Sequence, residues 1–159
     1  MQIKFIIALL ALSFLFACKD SSPARSLEAL DLMKHGLPIK INAPTGAEVV
    51  AEDLGFMKDV TVKGENNYFI QIISGVATTT DAAAIIAEQK KEVEAGPFFS
   101  EIISEDERGF IFKKEITSAR INYDFRAVKI QGDQEYVFQT GLMGQFSLDE
   151  VKAMYASVL

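Results

Sequence analysis

Residues 118–140 read SARINYDFRAVKIQGDQEYVFQT, and this stretch decides the fold. Ala119, Ile121, Tyr123, Phe125 and Ala127 alternate with Arg120, Asn122, Asp124 and Arg126. That period of two places successive side chains on opposite faces of a strand. Gly132-Asp133 interrupts the pattern and Gln134–Thr140 resumes it, so Ser118–Gln131 and Gln134–Thr140 are expected to pair as a hairpin. Past Ala127 the apolar phase changes, because Val128 and Ile130 form the next apolar pair. A one-residue slip turns every later side chain to the other face, so the reading predicts a β-bulge near Ala127.

Working outward, Phe99–Ser104 and Gly109–Glu115 form a second hairpin over a Glu105–Arg108 tip. Before it, Ala82, Ile85, Ile86, Gln89 and Val93 recur at helical spacing, while Glu88, Lys90, Lys91, Glu92 and Glu94 face water. Thr79, Thr80 or Asp81 can cap this helix and Gly96-Pro97 ends it. Asp59–Lys63 and Tyr68–Ser74 flank a Gly64–Asn67 turn, and Leu37–Asn42 with Ala47–Ala51 flank Pro44-Thr45-Gly46 as partner strands. Ser26–His35 is expected to be a helix, with Leu27, Leu30 and Lys34 on one side and Gly36 as its stop.

Downstream, Gly141–Gly144 reads as a flexible turn lacking the lysine of a phosphate loop. Ser147-Leu148-Asp149-Glu150 is a capping box, Phe146 is placed to staple onto Val151, and Val151, Met154, Tyr155 and Val158 form one apolar stripe. The expected fold class is α+β: a mainly antiparallel sheet of about six to eight strands, with a mid-chain helix and a C-terminal helix packed on it.

The amino terminus, MQIKFIIALLALSFLFAC, carries a positive Lys4 and an apolar run from Phe5 to Phe16. A run of about 12 residues is too short for a bilayer core of roughly 30 Å, which makes it a processing signal. Leu15-Phe16-Ala17-Cys18 resembles a bacterial lipobox, although Phe16 is bulkier than usual there. That resemblance implies cleavage before Cys18 and acylation of Cys18, anchoring the chain by more than one acyl group. The alternative is a secreted protein cut near Ala17 with a stray thiol. The expected organisation is a signal peptide over 1–17, a lipidated tether over 18–25 and one domain over 26–159. Lys19, where an inner-membrane retention signal carries Asp, favours the outer membrane; the periplasmic or surface face stays open.

The formal net charge is −6 and no basic stripe occurs, which argues against nucleic acid and anionic lipid surfaces as partners. The partners expected are the membrane, through the anchor, and another envelope protein. The layout from IKINAPTGAEVV through YFIQIIS and the crossing helix resembles that of PsbP-like and DcrB-like lipoproteins and their Ran-binding relatives. The nearer likeness is to small uncharacterised lipoproteins of Gram-negative envelopes. These resemblances rest on element order, and they imply the fold only.

Few residues point to chemistry. Cys18 is consumed by an anchor, and His35, the sole histidine, sits at an expected helix end where a partly charged imidazole suits the dipole. No HExxH or GxSxG stretch occurs, so no catalytic residue, cofactor or metal ligand is assigned. Glu105-Asp106-Glu107 lacks the alternate oxygen spacing of a calcium loop and reads as a solvated tip. The row Arg120, Asn122, Asp124 and Arg126 shares one sheet face, with two guanidinium groups flanking a carboxylate. It is the candidate binding face for an anionic group, and the competing reading is a solvent-facing ion-pair ladder. Glu135, Val137 and Gln139 can extend either version. Tyr68, Phe98, Phe99, Phe110, Phe112, Phe125 and Phe138 either line a pocket for a hydrophobe or fill the core. The functional expectation is a non-enzymatic, membrane-anchored binding or scaffolding module. A carrier for a small hydrophobic ligand is the alternative, and a hydrolase with paired carboxylates comes last.

Overall fold

A computed structural model describes residues 27–158, in which strand pairing dominates the backbone. The elements are β1 (Leu27–Asp31), a 3-10 turn (Met33–His35), β2 (Lys40–Pro44), β3 (Glu48–Asp53), β4 (Met57–Lys63) and β5 (Phe69–Val76). They continue as α1 (Ala82–Glu94), β6 (Phe99–Asp106), β7 (Gly109–Thr117), β8 (Arg120–Gln131), β9 (Gln134–Thr140) and α2 (Leu148–Ser157). Seven strands form one antiparallel sheet in the order β3-β4-β5-β9-β8-β7-β6, and β1 pairs with β2 in a separate ribbon. The fold is α+β, with the mid-chain and C-terminal helices on a mainly antiparallel sheet.

Each sheet face has its own apolar layer. On one face Val60, Val62, Ile70, Ile72, Phe125, Ala127 and Phe138 pack with Val151, Met154, Tyr155 and Val158 of α2 and with Ile41 and Ala43 of β2. On the other, Phe110, Phe112, Val128 and Val137 pack under Ile85 and Ile86 of α1. The helices start where the sequence signals say. The Asp81 side chain accepts from Ala83 N and Ala84 N, and the Ser147/Glu150 capping box is present in full. Phe146 and Val151 share one apolar cluster, as the staple requires. The β4–β5 hairpin turns through Asn66 and Asn67, both at left-handed φ, and the β8–β9 hairpin through Gly132 at φ 65°.

Three expectations are corrected. Within Ser26–His35, Leu27–Asp31 is a strand, and only Met33–His35 coils. Spacing of three between Leu27 and Leu30 serves a helix, but pairing with the distant Lys40–Pro44 supplies backbone partners that a short local helix would have to find alone. Second, the strand after Pro44-Thr45-Gly46 does not pair back on the strand before it. β2 pairs with β1 and β3 with β4, so this turn carries the chain from the ribbon to the main sheet. Third, no bulge occurs near Ala127: the β7–β8 and β8–β9 ladders meet at that residue, and neither shifts register there. The apolar phase changes because both faces are covered there, Phe125 and Ala127 by α2 and Val128 by α1. Register shifts fall instead between Phe99 and Glu101, Ile102 and Ser104, and Glu115 and Thr117. Two of these lie on β6, a sheet edge, where bulges and charges discourage pairing with another chain. The signal peptide, Cys18, the tether and Ser26 lie outside the described residues. No helix among the described residues is long and apolar enough to cross a membrane.

Candidate functional site

The row expected as a binding face splits into structural and accessible parts. Asn122 and Asp124 are buried, at 5% exposure each, whereas Arg120 lies exposed at the strand start. Their burial follows from how β9 leaves the sheet. The β8–β9 ladder ends at Ala127↔Phe138, and the Asp124 carboxylate takes over where backbone pairing stops. Its Oδ1 accepts from Thr140 N at 3.0 Å, Thr140 Oγ1 at 2.6 Å and Phe125 N at 2.8 Å. The Phe125 carbonyl, freed from the ladder, accepts from Arg126 at 2.9 Å. One turn further on, Asn122 Oδ1 accepts from Phe146 N at 2.6 Å, and its amide donates to the Gly144 carbonyl at 3.2 Å. Asn122 therefore fastens the chain entering α2 against β8.

Asp124 does carry two cations, but they are not the two arginines of the row. Lys114 Nζ lies 2.8 Å from Oδ2 and Arg126 NH1 lies 3.4 Å from it. Arg120 makes no ion pair with Asp124. Lys114, on the neighbouring strand β7, is placed by register beside Asn122, one step from the Phe112↔Asp124 pair. Sequence reading along β8 alone could not find it.

Lys114, Arg126 and Asp124 form one wall of a cleft of ≈ 240 Å³, with Glu92 and Val93 at the end of α1, Pro97, Phe98 and Phe99 beyond it, and Phe112 as its floor. Both cations lie against the Phe112 ring, Arg126 at 5.5 Å and Lys114 at 5.8 Å from its centroid, where the ring's negative face favours them. Phe98 is 47% exposed at the rim. The chain reaches this shape because Gly96-Pro97 stops α1 just before β6 begins, with Gly96 N donating to the Val93 carbonyl at 3.0 Å. An aromatic floor with two cations at one side suits an apolar group carrying a carboxylate. Asp124 is held by four hydrogen-bond donors and by the Arg126 guanidinium.

The remaining candidates fall elsewhere. Gln139 Nε2 donates to Gln71 Oε1 at 2.7 Å, and Gln71 Nε2 donates to Asp59 Oδ2 at 2.7 Å, so these side-chain amides bridge β9, β5 and β4. Val137 packs under α1, and Glu135 is raised above the ordinary carboxyl range by burial and by the Glu88 carboxylate. His35 closes the 3-10 turn, away from the cleft. The acidic tip is more than solvated charge. Asp106 accepts from Tyr155 Oη at 2.6 Å and pairs with Arg108 at 3.0 Å, while Lys90 pairs with Glu105. Arg108 and then the Tyr155 hydroxyl hold the Asp106 carboxyl down to about 2. Of the seven aromatic residues, Tyr68, Phe110, Phe125 and Phe138 fill the core, and Phe98, Phe99 and Phe112 line the cleft. Tyr68 Oη reaches the Asn42 carbonyl at 2.8 Å and Ser157 Oγ at 3.0 Å, and burial pushes its hydroxyl up to about 12.

Fold and cleft together define a small α+β domain with one aromatic, cation-walled recess. No family model matches the chain, and no curated protein or solved structure is significantly similar to it.

Proposed function

We propose that the chain is a lipid-anchored module of the bacterial cell envelope that binds another protein without catalysing a reaction. Cys18 carries the anchor in this reading, and the domain over 26–159 is displayed on the short polar tether over 18–25. The observation that carries the binding role is the cleft: an open aromatic surface beside Lys114 and Arg126, two cations that share the single carboxylate of Asp124 among the described residues. The partner it suits presents an apolar side chain next to a carboxylate, either acidic or C-terminal. A photo-crosslinking residue at Phe98, compared with one at the more accessible Leu142, tests this in intact cells. The proposal expects a discrete protein adduct from position 98 and none from 142. No adduct from position 98, in membrane-bound protein, overturns it.

A second reading is favoured by the same aromatic floor. Val93, Phe98, Phe99 and Phe112 would hold a small hydrophobic acid rather than a partner's side chain. Native mass spectrometry of the purified protein separates the two, since a carrier retains a ligand of fixed mass.

A further inference from the structure

We infer that a second recess, on the opposite sheet face and at the other end of the strands, is a binding site for a short-chain carboxylate. It encloses ≈ 360 Å³ between the sheet and the segment Gly36–Pro38, within the size range of small-molecule sites. Its floor is a row set by strand register: Lys58 opposes Ser74 across β4–β5, and Ser74 opposes Tyr136 across β5–β9. Directly opposed residues of adjacent strands stand roughly 5 Å apart at Cα, so the three side chains share one sheet face and all line the recess.

One of these groups lacks the partner expected of it. The Tyr136 hydroxyl is buried with no hydrogen bond, and buried tyrosine hydroxyls nearly always have one. Ser74 is 4% exposed and lines the recess. Lys58 is the one cation of the recess. Its Nζ donates to the Gly36 carbonyl at 3.2 Å and lies 4.0 Å from Asp53. Gly36, at φ 82°, leaves the ammonium its place, since a Cβ there would stand 2.6 Å from Nζ.

The Lys58 ammonium and the unpartnered Tyr136 O–H both offer donors to the recess, which suits an oxyanion. A single ammonium, partly offset by Asp53, suits a monoanion better than a phosphate dianion. Phe56 and Val76, 79% and 70% exposed, stand at the walls as an apolar rest for a short alkyl tail. The carboxylate would accept from Lys58, Ser74 and Tyr136 while the tail lies toward Phe56.

Tyrosine-selective NMR of the full chain in lipid nanodiscs tests this with butyrate, inorganic phosphate and butan-1-ol as probes. The Tyr136 ring resonance is assigned by Tyr136→Phe, which removes only the unpartnered hydroxyl, and the Tyr68 resonance reports that the fold is intact. Butyrate is expected to shift Tyr136 saturably, and butanol and phosphate to leave it in place. Lys58→Met, which keeps the apolar stem, should weaken butyrate by about tenfold or more. No saturable shift with butyrate, equal binding of butanol, preference for phosphate, or an unchanged affinity in Lys58→Met each overturns the proposal.

Discussion

Replacing Asp124 with alanine is expected to destabilise the domain by about 3–5 kcal/mol, the range for deleting one member of a buried ion pair. The size follows from what the carboxylate holds. Oδ1 satisfies Phe125 N, Thr140 N and Thr140 Oγ1, and Oδ2 pairs with Lys114 and Arg126. The Asp124 side chain is 7% exposed, so water cannot readily take over these donors. Asp124→Asn keeps an acceptor for the Oδ1 donors but turns an NH2 donor, in place of the charged Oδ2, toward the two cations. It should cost about 1–3 kcal/mol. Urea unfolding of the full chain measures both: the midpoint falls in the order wild type, Asn, Ala, at an unchanged slope. Adding Lys114→Met to Asp124→Ala should recover part of the loss, because one stranded cation is removed. An Asp124→Ala variant within about 0.5 kcal/mol of wild type, the size of an ordinary surface change, refutes the reasoning. The row would then be a solvated ladder after all.

Gly144→Ala places a Cβ 1.8 Å from the Phe146 ring, which is 2% exposed, and overpacking there should cost about 1–3 kcal/mol by the same unfolding assay. Ser147→Ala removes the cap of α2 and should cost about 1 kcal/mol. The Asp106 carboxyl sits at about 2 in the folded chain, below its ordinary 3.8, so folding releases a proton in this window. Its contribution is complete above the ordinary value and is lost as pH falls from there through 2. Because the Asp106 side chain is 40% exposed, screening keeps this below about 1 kcal/mol. Acid titration of stability should show a smaller drop across that interval in Tyr155→Phe than in wild type.

Much of the fold is legible in the sequence wherever the deciding contacts are local. Gly132, the Asn66-Asn67 turn, the Asp81 cap and the Ser147/Glu150 box each satisfy nearby backbone groups, and each stands where its residues indicate. The departures occur where a distant segment decides. Leu27–Asp31 extends because Lys40–Pro44 offers it a ladder, a partner that local spacing does not reveal. The phase change at Ala127 mimics a bulge, because strict alternation describes a strand with one wet face. Adjacent apolar residues from Phe125 to Val128 instead record a sheet covered on both faces. The polar row shows the same effect. Alternation correctly put Asn122, Asp124 and Arg126 on one face, but the burial of Asn122 and Asp124 depends on β9 leaving the ladder and on residues 144–146 crossing back. Lys114, the second cation of the cleft, lies on β7 and entered only through register.

Intact-mass analysis of the protein extracted from its native membranes tests the anchored-module account most directly. The account predicts a chain that begins at Cys18, carries the added mass of fatty acyl groups, and leaves the membrane fraction when Cys18→Ser is introduced. A chain with a free Cys18 thiol and no acyl mass contradicts it.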